Sequence, residues 1–171
     1  AQIARNRKIT SWVKNKLAAL IDAGREHEEF AFVTHGTMAD PRWLDPRVDP
    51  NDRAPGTCYL GDPRIANNGP VGLARFCTLR SWLSQWSYDD ANACGPTSLG
   101  RVTVPVLVVG NSADDACTPQ HTDRLFEAIG HTRKAMVNIQ GANHYYMGQP
   151  ELAAQASAAV LDWLADQGFP V

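Results

Sequence analysis

The stretch VTVPVLVVGNSADDACTP, residues 102–119, decides the fold class of this chain. Its first eight residues are mostly β-branched and apolar, which is typical of a strand that is buried on both faces. Gly110 ends this run, and Thr118 and Pro119 then supply an N-cap and a first-turn proline for a helix. The stretch therefore predicts a strand, a polar loop and a helix in that order.

The residues that follow repeat this alternation of strand and helix. Residues 134–140 alternate between apolar and polar side chains, which predicts a strand with one more exposed face. Pro150 begins a last amphipathic segment, and Gly168 follows that segment as a stop signal. The order strand, helix, strand, helix at these lengths predicts an α/β fold with a parallel sheet.

The first hundred residues lack this alternation of strand and helix. Residues 3–23 place apolar side chains along one helical stripe, and residues 70–86 form a second amphipathic segment that a proline opens. Between them, residues 36–69 are punctuated by Asp-Pro, Gly and Asn, which predicts irregular backbone with turns. We therefore expect a helical, loop-rich region over residues 1–101 and an α/β core over residues 102–171.

The composition argues against several classes of protein. The 171 residues carry 16 Lys and Arg against 18 Asp and Glu, and 44% are hydrophobic, which is globular rather than disordered composition. The first 21 residues hold basic but no acidic side chains, a pattern more typical of a solvated helix face than of a nucleic-acid site. No apolar run approaches the ~20 residues of a membrane span. We expect neither nucleic acid nor membrane as a partner, and a cytoplasmic location.

The cysteines and histidines lack the spacing of a metal centre. The four cysteines include no C-x-x-C pair, and a core of this length does not need disulfides, so we expect thiols. His27, His121 and His131 are scattered along the chain without ligand-like spacing. The sequence therefore predicts no metal and no cofactor.

Polar residues follow both predicted strands of the C-terminal region. Asp114 and Asp115 lie in the acid loop, residues 110–119, and His144 lies in the base loop GANHYY, residues 141–146. Because the carboxyl ends of parallel strands meet at one edge of a sheet, a carboxylate and this imidazole can come together. A carboxylate would fix the tautomer of the imidazole and stabilise its protonated form, so that the other ring nitrogen can act as a base.

The run PVLVVGNSADDACTP, a helix, a strand, QGANHYY and a terminal helix resemble the C-terminal part of the α/β-hydrolase superfamily over about residues 102–166. The resemblance implies that Asp114 is the acid of a catalytic triad, with Asp115 as the alternative, and that His144 is its base. It also implies a serine hydrolase that cleaves an ester or a related acyl bond of a small molecule. By the same resemblance, residues 1–101 would be a cap or an insertion.

The nucleophile of that superfamily is missing from the sequence. The elbow motif G-x-S-x-G does not occur, and residues 95–100, GPTSLG, have a different spacing and precede a strand, so we predict a loop there. We therefore expect the chain to be the C-terminal portion of a longer hydrolase, whose N-terminal half, as a cleaved segment or a second chain, is its partner. The sequence does not decide whether the chain forms a homo-oligomer. The alternative to a hydrolase is a non-catalytic binding protein of the same fold.

Four further side chains are candidates for contact with a substrate. His35 follows a short strand-like run and resembles the His-Gly of an oxyanion loop, although a role in a turn is the competing interpretation. Trp82 and Trp86 would pack in a core or line an apolar cap. Tyr145, directly after His144, would either pack around the base or touch the substrate.

Overall fold

The computed structural model describes residues 2–37, 40–56, 58, 61–70 and 75–170. The chain forms two compact units: unit 1 comprises Ala1–Met38 and Asn67–Cys94, and unit 2 comprises Ala39–Ala66 and Gly95–Val171. This division differs from the predicted border after residue 101, because residues 39–66 group with the C-terminal elements. The predicted role of residues 1–101 as a cap stays a prediction.

Unit 1 begins with a long helix. Helix α1 (Gln2–Asp22) agrees with the helix predicted at about residues 3–23, and it is followed by Gly24 at a φ of 66°, a conformation that favours glycine. Strands β1 (Ala31–Val33) and β2 (Phe76–Thr78) then pair antiparallel. Among the described residues, no helix is long and apolar enough to cross a membrane.

The helix predicted over residues 70–86 is corrected by the structure. Strand β2 occupies part of that stretch, and residues 71–74 lie outside the described residues. The helical backbone begins only at Leu79, where Thr78 and Ser81 form a capping box. Pairing with β1 therefore overrides the helical periodicity of this segment, since the ladder bonds of β2 are available only in the folded chain.

The core of unit 1 lies between α1 and the segment that follows β2. A short helix, α3 (Leu79–Ser81), continues into a π-helical turn, Trp82–Trp86. Trp82 is 2% exposed, and its indole N–H donates a hydrogen bond of 3.0 Å to the hydroxyl of Thr10 on α1. The buried side chains of this core are Val13, Leu20, Cys77, Leu79 and Trp82.

Unit 2 contains the predicted α/β elements. Strands β3 (Val106–Asn111) and β4 (Lys134–Ile139) pair parallel, and helix α5 (Pro119–Ala128) connects them. Helix α6 (Pro150–Asp166) follows β4 and packs against both strands. The predicted α/β class, with parallel strands and helices, is confirmed.

Shorter helical segments complete the described part of the chain. A 3-10 helix spans Pro41–Leu44 and is capped by the side chain of Asp40. Helix α2 spans Pro63–Asn68, and helix α4 spans Gly95–Leu99. The loop that we predicted over residues 95–100 is therefore wrong, because helix α4 occupies most of this stretch.

The core of unit 2 lies between α6 and the strand pair. Its buried centre is Ile139, Ala142 and Ala156, against which half-buried apolar side chains pack. Other apolar positions near the strands stay exposed, including Met136 on β4 and Val104 just before β3. The parallel pair is thus only partly covered by the described residues of unit 2.

Candidate functional site

The carboxylate of Asp114 is buried and fixed by its own loop. Its Oδ1 accepts hydrogen bonds of 2.7 Å from the backbone N–H groups of Ala116 and Cys117. The side chain is only 7% exposed. Two backbone donors on one oxygen hold the carboxylate in a single orientation.

The imidazole of His144 lies against this carboxylate. Its Nδ1 is 2.9 Å from Oδ2 and 3.1 Å from Oδ1 of Asp114, across 30 residues of sequence. A carboxylate oxygen accepts hydrogen bonds, so a neutral His144 that donates from Nδ1 carries its lone pair on Nε2. The contact predicted from the two strand ends is therefore present.

Asp115, the predicted alternative acid, is placed differently. Its Oδ1 is buried, and no described residue forms a hydrogen bond with it. Burial raises the pKa of the Asp115 carboxyl above its ordinary value, and the negative charge of Asp114 raises this pKa further. The structure therefore pairs His144 with Asp114 rather than with Asp115.

A cavity of about 370 Å³ lies beside the base loop. It is lined by Asp115, Asn143, Tyr145, Met147 and Gly148. Tyr145 is 61% exposed, and its ring contacts that of His144 edge to face, with 4.5 Å between the centroids. Tyr145 therefore both packs against the imidazole and forms a wall of the cavity.

Asn111, which the sequence did not single out, joins the two loops at the end of β3. Its side-chain N–H donates 3.1 Å to the carbonyl of Asn143, and its side-chain oxygen accepts 2.8 Å from the hydroxyl of Tyr146. Tyr146 adopts a φ of 54°, a conformation that side chains other than glycine rarely take. The backbone next to His144 is thus held in an unusual conformation by a side chain of the neighbouring strand.

Residues 45–53, which we call the supporting loop, contact the acid loop. The Asn51 side chain donates 2.7 Å to the backbone carbonyl of Asp114, and the Ser112 hydroxyl donates 2.6 Å to the Asp52 carboxylate. The Gly141 N–H in turn donates 2.7 Å to the Ser112 hydroxyl. Sequence reasoning gave this segment only as irregular backbone, because turn residues signal a turn and not the loop to which it binds.

Arg53 holds the supporting loop together from within. It is 4% exposed, and its Nη1 donates 2.7 Å both to the Asp49 carbonyl and to the Asn51 side-chain oxygen. Its Nη2 donates 3.0 Å to the Asp45 carbonyl and 2.5 Å to the Val48 carbonyl. A buried guanidinium is tolerated because these acceptors replace water.

The remaining substrate-side candidates belong to unit 1. Trp82 is a core residue of unit 1 with a satisfied indole N–H, and its contact with a substrate stays a prediction. Trp86 is half-buried and packs against the same core. His35 follows β1, and its Nδ1 is buried without a hydrogen-bond partner among the described residues.

The four cysteines are thiols in the structure, with Cys58 and Cys77 buried and Cys94 and Cys117 exposed. One of them lies at the candidate site. Asp114, Cys117 and His144 are the group of described residues that could hold a metal ion, since their ligand atoms lie within 4.8 Å of one another. The sequence did not reveal this group, because its members are far from regular ligand spacing.

Comparisons with known proteins give little beyond the fold. No family model matches the chain, and no curated protein matches it either. Among solved structures, a monoacylglycerol lipase of Paleococcus ferrophilus is similar, with 19% sequence identity and a TM-score of 0.47. The alignment covers 92% of this chain and 51% of the lipase, so the chain spans about half the length of that protein. The chain is thus defined as an α/β protein with a carboxylate–imidazole pair at the ends of parallel strands.

Proposed function

We propose that this chain supplies the acid and the base of an α/β-hydrolase that cleaves an ester or a related acyl bond. The observation that carries the proposal is the 2.9 Å contact between His144 Nδ1 and Asp114 Oδ2, just beyond the carboxyl ends of β3 and β4. The chain order, acid before base, is the order of that superfamily.

Each of the two residues has a defined part in the proposed reaction. Asp114, held in place by the Ala116 and Cys117 N–H groups, keeps the proton of His144 on Nδ1. The Nε2 lone pair then takes the proton of a nucleophilic hydroxyl as that oxygen attacks the acyl carbon. The imidazolium gives this proton to the departing oxygen of the substrate, which completes acylation.

The nucleophile itself has to come from another segment, since an acid and a base alone form no acyl intermediate. The exposed apolar side chains Val104 and Met136 support this part of the proposal, because parallel strands are normally covered on both faces and flanked by further strands. We propose that the N-terminal half of the same hydrolase, as a cleaved segment or a second chain, supplies a serine and these strands.

The test is an aryl-ester assay of the chain alone and of the chain produced with the coding sequence that precedes Ala1. We expect no turnover by the chain alone and turnover by the combination. A fluorophosphonate probe should label the added polypeptide. His144→Ala in the combination should lower the rate by at least ~10³-fold, because the hydroxyl then has no base.

A matched control removes a histidine of unit 1. His27 has a side chain that is 93% exposed, so His27→Ala should leave the rate unchanged. Robust activity of the chain alone, or a rate insensitive to His144→Ala, would contradict the proposal. Tight binding of the ester without turnover by the combination would favour the alternative, a non-catalytic binding protein of the same fold.

A further inference from the structure

Cys117 is a thiol side chain at the site that the proposed reaction does not use. Its Sγ, a carboxylate oxygen of Asp114 and a ring nitrogen of His144 all lie within 4.8 Å of one another. A thiol, an imidazole and a carboxylate are the three side-chain types that bind zinc in proteins.

The backbone around these three side chains is held by hydrogen bonds. The Cys117 N–H donates to Asp114 Oδ1, which keeps the cysteine beside the carboxylate. The base loop is tied to β3 through the bond from Asn111 to the Asn143 carbonyl. The backbone that carries the three ligand side chains is therefore held in place, and binding of an ion requires side-chain rotations only.

We propose that Asp114, Cys117 and His144 bind a zinc ion, and that the ion switches off the acid–base pair. In a tetrahedral site with zinc–ligand bonds of about 2.0–2.3 Å, neighbouring ligand atoms are roughly 3.3–3.6 Å apart. The Asp114 oxygens are 2.9–3.1 Å from His144 Nδ1, and no two of the three ligand atoms are more than 4.8 Å apart. The separations that a tetrahedral zinc site requires lie between these two values. Side-chain rotations that move the ligand atoms by about 1 Å bring all three within bonding distance of the ion, and a water takes the fourth position.

Binding follows a simple proton balance. The ion replaces the thiol proton of Cys117, which passes to solvent, and it replaces the Nδ1 proton of His144. His144 stays neutral by carrying a proton on Nε2 instead. The thiolate also gives selectivity, because Mg²⁺ and Ca²⁺ prefer oxygen ligands.

The consequence for catalysis rests on the proposed function, whereas the binding does not. With the metal on Nδ1 and the proton on Nε2, His144 has no lone pair for the nucleophilic hydroxyl. Zinc should therefore inhibit the hydrolase, and a chelator should restore its activity. This proposal departs from the prediction of no metal, since the sequence gives no sign that Cys117 and His144 meet.

Binding is tested on the purified chain with Co²⁺, a coloured substitute for Zn²⁺, and then with Zn²⁺ by calorimetry. We expect one ion per chain and a cobalt–thiolate absorption band that Zn²⁺ removes. Cys117→Ser should abolish the band and weaken zinc binding by more than about 100-fold, since even the loss of a supporting partner costs 10–100-fold. Cys94→Ser, which removes an exposed thiol of unit 1, should retain both.

The outcomes separate this proposal from the hydrolase proposal, because the titration needs neither a nucleophile nor an ester. A thiolate band that survives Cys117→Ser, a band lost in Cys94→Ser, or no stoichiometric binding would overturn the metal site. Near-ultraviolet circular dichroism equal to that of the unsubstituted chain confirms that Cys117→Ser is folded. Zinc binding that leaves the rate of an active combination unchanged would overturn the inhibitory role.

Discussion

The hydroxyl of Ser112 donates a hydrogen bond of 2.6 Å to the carboxylate of Asp52, although the two residues lie 60 positions apart in the chain. The same hydroxyl accepts a bond from the N–H of Gly141, at the start of the base loop. The Gln140 side chain also donates to the Asp52 carboxylate. The Asp52 carboxylate thus contacts the acid loop at Ser112 and the residue just before the base loop, Gln140.

Replacing Asp52 tests this connection. Asp52→Ala leaves the buried Ser112 hydroxyl without its acceptor, and we expect the free energy of unfolding to fall by about 1–2 kcal/mol. Urea denaturation followed by circular dichroism measures the change. Asp162→Ala removes an exposed carboxylate of α6 and should change the stability by less than about 0.5 kcal/mol. Equal effects of the two substitutions would contradict the proposed connection.

Asp114→Asn should move the proton on the imidazole of His144. The N–H groups of Ala116 and Cys117 require an acceptor, so the amide oxygen takes the place of Oδ1 and the amide nitrogen faces His144. That nitrogen donates to Nδ1, and the ring proton shifts to Nε2. Nitrogen-15 NMR of the isolated chain reports the tautomer directly.

The adjacent carboxyl provides the control for the tautomer experiment. Asp115→Asn changes a side chain that does not contact His144 through a hydrogen bond, so we expect the proton to stay on Nδ1. A shift in Asp115→Asn and none in Asp114→Asn would reverse the assignment of the acid.

Arg53→Lys should destabilise the supporting loop. Lysine keeps the positive charge but cannot reach all of the four oxygens that the guanidinium binds among the described residues, and buried acceptors would lose their donors. We expect a loss of about 2–4 kcal/mol in the free energy of unfolding. The side chain of Arg47 is 88% exposed, and Arg47→Lys should cost less than about 1 kcal/mol in the same urea titration. A small effect at both positions would show that the buried guanidinium contributes little.

The buried hydrogen bond of unit 1 is suited to a double-mutant cycle. Trp82→Phe removes the indole N–H, and Thr10→Val removes the hydroxyl that accepts from it at 3.0 Å. Each single change should cost about 1–3 kcal/mol, and the double mutant should be less destabilised than the sum by about 1 kcal/mol. Strict additivity, measured by thermal or urea unfolding, would mean that the bond adds nothing to packing.

The thiols should differ in their reaction with iodoacetamide. Burial raises the pKa of the Cys77 thiol above its ordinary value, so at a given pH less of it is thiolate, the reactive form. We expect alkylation of Cys77 to be slower than that of the exposed Cys94, with its pH–rate profile displaced to higher pH. Mass spectrometry of peptides from a timed reaction measures both. Equal rates for the two cysteines in the folded chain would contradict the burial of Cys77.

The C-terminal elements could be predicted because their signals are local. The β-branched run before Gly110 and the alternation over residues 134–140 each lie within one strand, and the helices that follow begin with Pro119 and Pro150. The meeting of a carboxylate of the acid loop with His144 follows from the same pattern, since parallel pairing brings two strand ends to one edge.

Strand β2 and the supporting loop could not be predicted in this way. Phe76–Thr78 is a strand because β1 provides the hydrogen-bond partners. The periodicity of residues 70–86 does not indicate this pairing. The contacts of Asn51 and Asp52 with the acid loop are likewise a property of the folded chain.

The sequence by itself determined the α/β class and the pairing of acid and base, because periodicity and strand order act over neighbouring residues. Only the tertiary structure decided which carboxylate faces the imidazole, that Trp82 is core, and that the thiol of Cys117 lies beside His144. These outcomes depend on distances between residues far apart in the chain. Such distances are fixed by packing and long-range hydrogen bonds, which local sequence patterns do not record.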